Sequence, residues 1–259
     1  MSQFSLFDES PRPVSEAIPL APAGGSVARV PAVAFVPAAE LSPEEKAVRL
    51  DEVCRQALTC TRCGLADTRT HVAFGEGNAA APLVLIGEGP GENEDATGRP
   101  FVGRAGKLLD EVLRRAGMAR HHVYIGNTVK CRASTLTDGR VVNRPPATDE
   151  MSACLPWLEQ QLEIIRPIVV VCLGAPAANT IIHKGFRMTA ERGKWFTTST
   201  YAPWTLAAFH PAYVLRQHGP TYDQMVETLV QDLMNARQKV IEVKRERKAA
   251  AASSSPLLS

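Results

Sequence analysis

The sequence predicts a three-layer α/β/α sandwich around a central, mostly parallel four-stranded sheet. Four short apolar runs have the length and composition of buried strands. Amphipathic segments with a helical period lie between them. Strands that alternate with helices form parallel sheets covered on both faces, and their functional side chains lie at the carboxyl ends of the strands.

The predicted elements begin just after residue 40. Ser42 can cap a helix that runs to about Leu58, because Pro43 suits the first helical position and acids occupy the first turn. The predicted strands are Pro82 to Ile86, His122 to Gly126, Ile168 to Leu173 and Thr205 to Phe209. The other predicted helices are Gly103 to Ala116, Thr148 to Ile165, Ala175 to His183 and Thr221 to Lys244.

Composition divides the 259 residues into one domain with two tails. Residues 1–40 are rich in Pro, Ala and Gly without a sustained period, which predicts disorder, and residues 41–240 form the domain. Past Lys239 the sequence becomes charged and then low in complexity, which predicts a frayed helix followed by a disordered tail, with residues 241–259 outside the domain. No apolar run approaches the roughly 20 residues that cross a bilayer, and the start lacks the layout of a signal peptide. We therefore expect a cytoplasmic monomer without membrane association.

The cysteines suggest a metal site rather than disulfides. Six cysteines in a reducing compartment are poor disulfide candidates. Cys60 and Cys63 form a C-x2-C pair, a spacing at which two thiolates reach one metal or one cluster. Cys131 and Cys154 complete a four-thiolate set if the fold brings them near, and otherwise they are small buried residues. Spacing alone leaves both interpretations open, and the other two cysteines are expected to be packing residues.

The loop after the first predicted strand is rich in glycine, but it does not match the dinucleotide-binding fingerprint G-x-G-x-x-G. In Gly87–Gly91 the third glycine is one place early, and Pro90 lacks an amide donor. Glu92 and Glu94 put negative charge where a pyrophosphate would lie. These features argue against a nucleotide-dependent oxidoreductase. They favour a site that holds water or a developing cation beside a neutral heterocycle, with a tight turn and solvated acids as the alternative.

Several motifs in order resemble those of family-4 uracil-DNA glycosylases over about residues 50–235. The first block is Gly87–Glu92, Glu94-Asp95, Gly98–Gly103 and Ala105–Leu109. The later blocks are Asn127–Arg132, Asn143–Pro145, Cys154, Leu173-Gly174, Arg192–Lys194 and His210–Arg216. The resemblance implies a monofunctional glycosylase of base excision repair. Such an enzyme hydrolyses the N-glycosidic bond of uracil in single- and double-stranded DNA and leaves an abasic site.

The resemblance also implies a cofactor. The family's [4Fe-4S] ligands match Cys60, Cys63, Cys131 and Cys154. Zinc is the alternative, because sequence does not separate the two metals. The centre is expected to be structural, since thiolate bonds from distant segments tie those segments together.

The resemblance assigns catalytic roles to three residues at predicted strand ends. Asn127 offers an acceptor to uracil N3–H and a donor to O4, and cytosine reverses that pattern. His210 donates to uracil O2 as negative charge develops there. Glu88 positions the water or balances positive charge on the sugar. The remaining substrate-binding residues are Gly87, Gly89, the stacking residue Phe101, and Glu94, which could share the task of Glu88.

DNA contacts are expected from the segment after His210 and from scattered basic residues. Tyr213, Leu215 and Arg216 lie on a loop that can enter the space left by a flipped nucleotide and meet a phosphate. The residues expected along the DNA backbone are Lys130, Arg132, Arg144 and Lys194.

Two departures from the family pattern bear on function. The segment between Cys131 and Asn143 is longer than usual, which resembles a branch that is covalently trapped on uracil sites through a histidine. No histidine lies between Cys131 and Cys154, so turnover is favoured over the alternatives of trapping or non-catalytic uracil-DNA binding.

The amino-terminal segment Gln3–Phe7 is the second departure. It resembles the peptide by which bacterial repair proteins bind the DNA polymerase sliding clamp, with Gln3, Leu6 and Phe7 as anchors. An ordinary disordered start is the alternative.

Overall fold

The structure, a computed structural model, describes residues 41–197 and 199–254. Its helices are α1 Pro43–Leu58, α2 Glu92–Thr97, α3 Arg104–Arg115, α4 Thr148–Ile165, α5 Ala175–Ile181, α6 Met188–Glu191, α7 Pro211–Val214 and α8 Gly219–Ser254. Its strands are β1 Glu76–Gly77, β2 Leu83–Gly87, β3 Tyr124–Asn127, β4 Ser134–Thr137, β5 Arg140–Asn143, β6 Val169–Leu173, β7 Trp195–Phe196 and β8 Trp204–Ala208. No helix in this part of the chain is long and apolar enough to cross a membrane. Residues Gln3, Leu6 and Phe7 lie outside the described ranges.

The main sheet has the order β1-β3-β2-β6-β8-β7. Its four central strands are parallel, and Leu85 of β2 pairs with Ile125 of β3 on one side and Val171 of β6 on the other. The predicted parallel four-stranded centre is therefore confirmed. Two-residue strands, β1 and β7, add antiparallel edges that are too short to produce a recognisable sequence pattern.

Helices cover both faces of this sheet, as the sequence predicts. Along β2, Val84 and Ile86 pack into the core formed with α1, α4 and α5. Leu83 and Leu85 point to the other face and pack with α3, α7 and α8. Successive strand side chains point to opposite faces, so a continuous apolar run serves a sheet buried on both sides.

The first helix begins as its sequence predicts. Ser42 Oγ accepts from the Glu45 amide at 3.2 Å, and the Glu45 carboxylate accepts from the Ser42 amide at 2.7 Å. This reciprocal capping box satisfies amides at the start of α1, which then leads to Cys60.

The carboxyl-terminal boundary differs from the prediction. The domain boundary predicted at residue 241 is wrong, because α8 continues past the predicted end at Lys244 to Ser254. Ile241 and Val243 are buried in the core shared with α3, and the charged and Ala-rich residues that follow have high helix propensity.

The long segment after Cys131 forms a separate two-stranded hairpin, β4–β5. Its turn contains Asp138 and Gly139, both with positive φ (49° and 72°). An Asp-Gly pair is a strong signal for this type of two-residue turn. That signal was available in the sequence, although the prediction left the segment without structure.

Candidate active site and candidate metal centre

A cavity of about 380 Å³ lies at the carboxyl ends of the parallel strands. This volume is within the range usual for small-molecule sites. Its walls come from the loops after β2, β3 and β8, the start of α3 and the base of the hairpin. The lining includes Glu88, Gly89, Glu94, Phe101, Arg104, Asn127, Asn143, Arg144 and His210. The sheet topology therefore brings the three predicted catalytic residues to one cavity.

Asn127, the last residue of β3, presents an unpaired acceptor at this cavity. The residue is 1% exposed, and its buried Oδ1 atom has no hydrogen-bond partner among the described residues. A Cβ atom added at Gly87 would lie 2.5 Å from this oxygen, so only glycine permits the approach. Because leaving a buried acceptor unpaired costs about 1–3 kcal/mol, the geometry fits a ligand that donates here.

Phe101 lies beside Asn127 with an unusual backbone. Its φ is 53°, in the left-handed region that non-glycine residues rarely adopt. Its carbonyl accepts from Arg120 Nη1 at 3.0 Å, and a Cβ at Gly106 would lie 1.8 Å from this carbonyl oxygen. The close crossing over α3 holds the ring against the site, where it packs near the His210 ring with centroids 5.6 Å apart. Such backbone strain is common at functional sites.

His210 ends the segment after β8 and caps α7. Its Nδ1 atom accepts from the Ala212 amide at 3.1 Å, which leaves Nε2 to carry the hydrogen of a neutral ring. Burial, aided by the charge of Arg216 and opposed by Glu94, lowers the pKa of His210 to about 4. At neutral pH the side chain is therefore an uncharged donor in a fixed orientation.

Glu88 and Gly89 form the cavity wall after β2. Burial raises the pKa of Glu88 above its ordinary value. The Glu88 carbonyl accepts from Thr128 Oγ1 at 2.6 Å and from the Val129 amide at 3.0 Å, which joins the loops after β2 and β3. A Cβ at Gly89 would lie 2.7 Å from the Val129 side chain, so glycine allows this packing.

Glu94 lines the same cavity, but its oxygens are engaged by the backbone. They accept from the amides of Gly91 at 3.0 Å and of Val102 and Gly103 at 2.8 Å each. The side chain is buried and ties the glycine loop to the segment around Phe101. This arrangement favours a positioning role over the predicted contact with substrate.

Replacing Glu94 should therefore destabilise the fold locally and lower activity. We expect Glu94→Ala to lose about 2–4 kcal/mol in free energy of unfolding, because three amides lose a charged acceptor. Denaturant unfolding measures this loss. The control is Glu92→Ala, since Glu92 is exposed on the same short helix. Equal stability of the two variants would contradict the role assigned to Glu94.

The four cysteines predicted as ligands also lie together. Cys60, Cys63, Cys131 and Cys154 line one cavity between the end of α1, the segment after β3 and α4. In the described residues, no group of three or more His, Cys, Asp or Glu side chains could, as placed, hold a single metal ion. Burial raises the pKa of the Cys131 thiol to about 11. A metal that binds such thiols must therefore displace their protons.

Hydrogen-bond donors point at three of these sulfurs. The Lys130 amide lies 3.2 Å from Cys154 Sγ, Trp157 Nε1 lies 3.4 Å from Cys60 Sγ, and Arg69 Nη1 lies 3.6 Å from Cys131 Sγ. Thiols are weak acceptors, whereas metal-bound thiolates are commonly hydrogen-bonded by surrounding donors. The donor set therefore fits four thiolates. Arg69 and Trp157 were not predicted as part of this site, because their contacts are with residues 62 and 97 positions away in the chain.

The other two cysteines lie outside this cavity. Burial raises the pKa of Cys54, on α1, to about 11. Cys172 is fully buried within β6, where burial also raises the pKa of its thiol. Their positions agree with the packing role predicted for them.

Lys130 is not available to DNA. It is 1% exposed, and its Nζ donates to the Asn127 carbonyl at 2.7 Å and to Gln161 Oε1. Gln161 in turn donates to the Tyr124 hydroxyl at 2.8 Å. The predicted DNA contact of Lys130 is therefore wrong. The residue instead joins the loop of Asn127 to the core beneath it, and burial lowers the pKa of its amine to about 8.

The other predicted DNA-contact residues occupy different surroundings. Arg132 donates through Nε to Asn143 Oδ1 at 2.7 Å beside the cavity. Arg144 is neutralised by Glu150 through two bonds of 2.6 and 2.7 Å. Lys194 lies at a separate cavity near Asp232, apart from the active-site cavity.

The segment after His210, which includes α7, and the start of α3 carry further exposed groups. Tyr213 and Arg216 are exposed, and the Arg216 guanidinium lies 5.7 Å from the centre of the Tyr213 ring. Leu215 is half-buried in the same loop. Arg104, which the sequence analysis did not single out, is an exposed cation in the cavity wall. Its position in the chain between Gly103 and Lys107, within the first family-like block, could have indicated it as a site residue.

Comparison with known proteins assigns this chain to a class of protein. The family model described as the Uracil DNA glycosylase superfamily matches residues 74–234, and the chain belongs to that superfamily. The type-4 uracil-DNA glycosylase of Thermotoga maritima is 41% identical over 192 residues, which cover 73% of this chain and 93% of that protein. The type-4 enzyme of Archaeoglobus fulgidus is 40% identical over 172 residues, which cover 64% and 83%. Within the superfamily, the chain belongs to the type-4 uracil-DNA glycosylases.

One solved structure is also similar. Wild-type SMUG2 of Pedobacter heparinus aligns with 61% of this chain and 76% of that chain, with a TM-score of 0.46 and 14% identity. That likeness is too weak to add to the assignment.

Proposed function

We propose that this chain is a monofunctional DNA repair glycosylase that hydrolyses the N-glycosidic bond of uracil in single- and double-stranded DNA. The product is an abasic site. The observation that carries the proposal is the buried, unpartnered Oδ1 atom of Asn127, which faces a cavity that also holds the neutral donor His210. Uracil has the complementary groups, because its N3–H donates and its O2 accepts. Its type-4 relatives support the same activity.

Breaking the bond between sugar and base separates charge, and the cavity has groups for both ends. Negative charge develops on the departing uracil, and His210 can donate Nε2–H to O2 without itself being charged. Such a fixed donor stabilises the anion more than the neutral base, which lowers the barrier. Phe101 provides an apolar surface for the flipped base, because its ring lines the cavity close to the backbone of Gly87 and to the ring of His210.

Glu88 acts on the sugar side of the bond that is broken. Its carboxylate can orient water toward the sugar carbon and balance the positive charge that grows there. Partial burial strengthens such electrostatic effects, and the raised pKa of Glu88 favours acceptance of a proton from the attacking water. Glu94 is less suited to this task, since its oxygens are engaged by three amides.

Replacing Asn127 tests uracil recognition. We expect Asn127→Ala to fold normally and to lower uracil excision about 100-fold, because uracil N3–H and O4 lose their partners at roughly 1–3 kcal/mol each. The measurement is single-turnover cleavage of single-stranded and duplex oligonucleotides that contain uracil.

The matched control is Asn235→Ala, which removes an exposed amide on α8 far from the cavity. It should retain wild-type excision. Full activity of Asn127→Ala on single strands, where no duplex must be opened, would refute the proposed recognition.

We also propose that Cys60, Cys63, Cys131 and Cys154 hold a [4Fe-4S] cluster. Bound to these thiolates, the cluster would cross-link the end of α1, the segment after β3 and α4. Support comes from the shared cavity and from the N–H donors aimed at three sulfurs. Zinc is the alternative, and iron and sulfide analysis of anaerobically purified protein distinguishes the two.

Two alternatives share the fold but not the turnover: a non-catalytic uracil-DNA binder and a covalently trapped protein. Glu88, Asn127 and His210 at one cavity favour catalysis. The hairpin segment between Cys131 and Cys154 contains no histidine that could be trapped. Multiple turnovers, without a shifted band on a denaturing gel, would exclude both alternatives.

Finally, we propose that the enzyme acts as a cytoplasmic monomer and that Gln3, Leu6 and Phe7 bind the sliding clamp. A short peptide with apolar anchor residues suits binding in a groove of the clamp. Replacing Leu6 and Phe7 by Ala should abolish clamp binding without lowering uracil excision.

A further inference from the structure

The hairpin β4–β5 is a rigid projection at the edge of the active-site cavity. Its Asp138-Gly139 turn has the positive φ angles that match the twist of paired strands. At its base, the Arg144 amide donates to the Ala133 carbonyl at 3.0 Å, and the Arg144 guanidinium is held by Glu150 of α4. The hairpin is therefore fixed to the body of the protein at the cavity wall.

The strand register shows which hairpin residues share a face. Ser134 pairs with Asn143, and Leu136 pairs with Val141 two positions further along. Residues two apart on a strand, together with their cross-strand partners, lie on the same face. Asn143 lines the active-site cavity. The pair Leu136–Val141 therefore continues the face that carries the cavity-lining Asn143.

This pair is exposed to an extent that folding does not explain. Leu136 and Val141 are 71% and 56% exposed, and Val142 on the opposite face is 41% exposed. These are three of the six exposed large apolar side chains in the described residues, and Tyr213, next in sequence to the cavity-lining Ala212, is a fourth. Since β4 and β5 pair only with each other, the apolar pair adds nothing to the main core. Exposed apolar side chains next to a functional cavity indicate a binding surface.

The charges of the hairpin identify its partner. The segment from Arg132 to Arg144 carries three arginines, the third being Arg140, and one acid, Asp138. Glu150 neutralises Arg144. Arg132 and Arg140 form no ion pair with any residue that the structure describes. Apolar side chains beside unpaired arginines are complementary to nucleobases that alternate with phosphates. The DNA strand that places its uracil in the cavity can continue along this adjoining hairpin surface.

We propose that the β4–β5 hairpin is a second DNA-contact element that binds the strand next to the flipped uridine. Leu136 and Val141 pack against the base or sugar of a neighbouring nucleotide, and Arg132, which contacts Asn143 on the same face, meets a flanking phosphate. This inference rests on the proposed function, since it takes the cavity to hold uracil. It gives a role to the segment whose length departs from the family pattern.

The test compares two faces of one hairpin. The variant L136T/V141T removes the apolar pair, and the control V142T makes the same kind of change on the opposite face. Threonine suits strands, and all three positions are exposed, so both variants should fold as the wild type does. The probe is a fluorescent single strand with one 2′-fluoroarabinouridine, a non-hydrolysable uridine analogue. We expect the Kd of L136T/V141T to rise about tenfold, equivalent to about 1.4 kcal/mol, and that of V142T to stay within about twofold.

A second measurement locates the contact. Replacing the base on one side of the uridine analogue by an abasic spacer should weaken binding by the wild type. The same spacer should weaken binding by L136T/V141T much less, because the partner of the missing base is already gone. An equal Kd for L136T/V141T and V142T, or an equal spacer effect in wild type and L136T/V141T, would overturn the proposal and leave a protein partner as the occupant.

A separate measurement distinguishes failure of the proposed glycosylase activity from failure of the proposed hairpin contact. Excision of ordinary uracil by the wild type tests the enzyme, whereas the binding experiments do not require cleavage. A wild type that binds the analogue through this hairpin but never cleaves uracil would refute the enzyme and support the hairpin contact.

Discussion

The variant His210→Ala should excise uracil about 100 to 1000 times more slowly than the wild type while keeping its fold. Losing one fixed donor to a developing anion typically costs this much. Here the ring is oriented by the Ala212 amide at Nδ1, packed against Phe101, and kept neutral by a pKa of about 4. The ring is part-buried, and its Nε2–H group is held in one position. A water molecule that replaced the ring would not be held in that position, so it would be a poorer donor. Single-turnover rates on single-stranded uracil DNA isolate this chemical step.

His121→Ala is the matched control for this experiment. His121 is exposed in the turn before β3, at the opposite end of that strand from Asn127. It should retain the wild-type rate. If His210→Ala binds the non-hydrolysable analogue normally but cleaves uracil slowly, the donor acts in the transition state, as proposed. A rate within tenfold of the wild type would contradict that assignment.

The variant Cys154→Ala should lose the cluster and much of the thermal stability of the protein. The binding energy of a structural metal centre contributes to folding, and it reaches about 10–16 kcal/mol for zinc in small domains. For a chain of this size each kcal/mol corresponds to roughly 2–4 °C in Tm, so we expect a fall of at least about 10 °C. The Sγ atom that is removed also accepts from the Lys130 amide, next to the loop of Asn127. Iron content, visible absorbance and Tm measure the effect.

Cys54→Ala is the control, because Cys54 lies on α1 outside the cysteine cavity. It should keep its iron and lose little stability. A Cys154→Ala protein with full iron content would exclude Cys154 as a ligand. Zinc in place of iron in anaerobically purified wild-type protein would leave the ligand set intact and replace the cluster.

Much of the fold could be predicted because its signals are local. The runs around Leu85 and Val171 are apolar at every position, which is typical of strands buried on both faces. The start of α1 was visible from Ser42 and Glu45, whose capping contacts require only a spacing of three residues. The edge strands β1 and β7 were missed, since two residues cannot display a period.

The candidate site was predictable where chemistry follows from position at a strand end. Asn127 ends β3 and His210 lies two residues after the end of β8, and parallel strands bring their carboxyl ends to one edge of the sheet. Whether a charged residue is buried or exposed, by contrast, depends on residues far away in the chain. Lys130 has the sequence context of a surface lysine, but contacts with Gln161, which lies 31 positions away, bury it.

The sequence by itself determined the layered α/β fold, the strand ends that carry polar residues, and the C-x2-C pair. Each depends on residues close together in the chain, where periodicity and spacing constrain the structure directly. Only the tertiary structure decided that four cysteines share a cavity, that Glu94 holds the backbone, and that Leu136 and Val141 lie exposed on the hairpin face that carries Asn143. These features depend on contacts between distant segments, and such contacts exist only once the sheet has set the position of each loop.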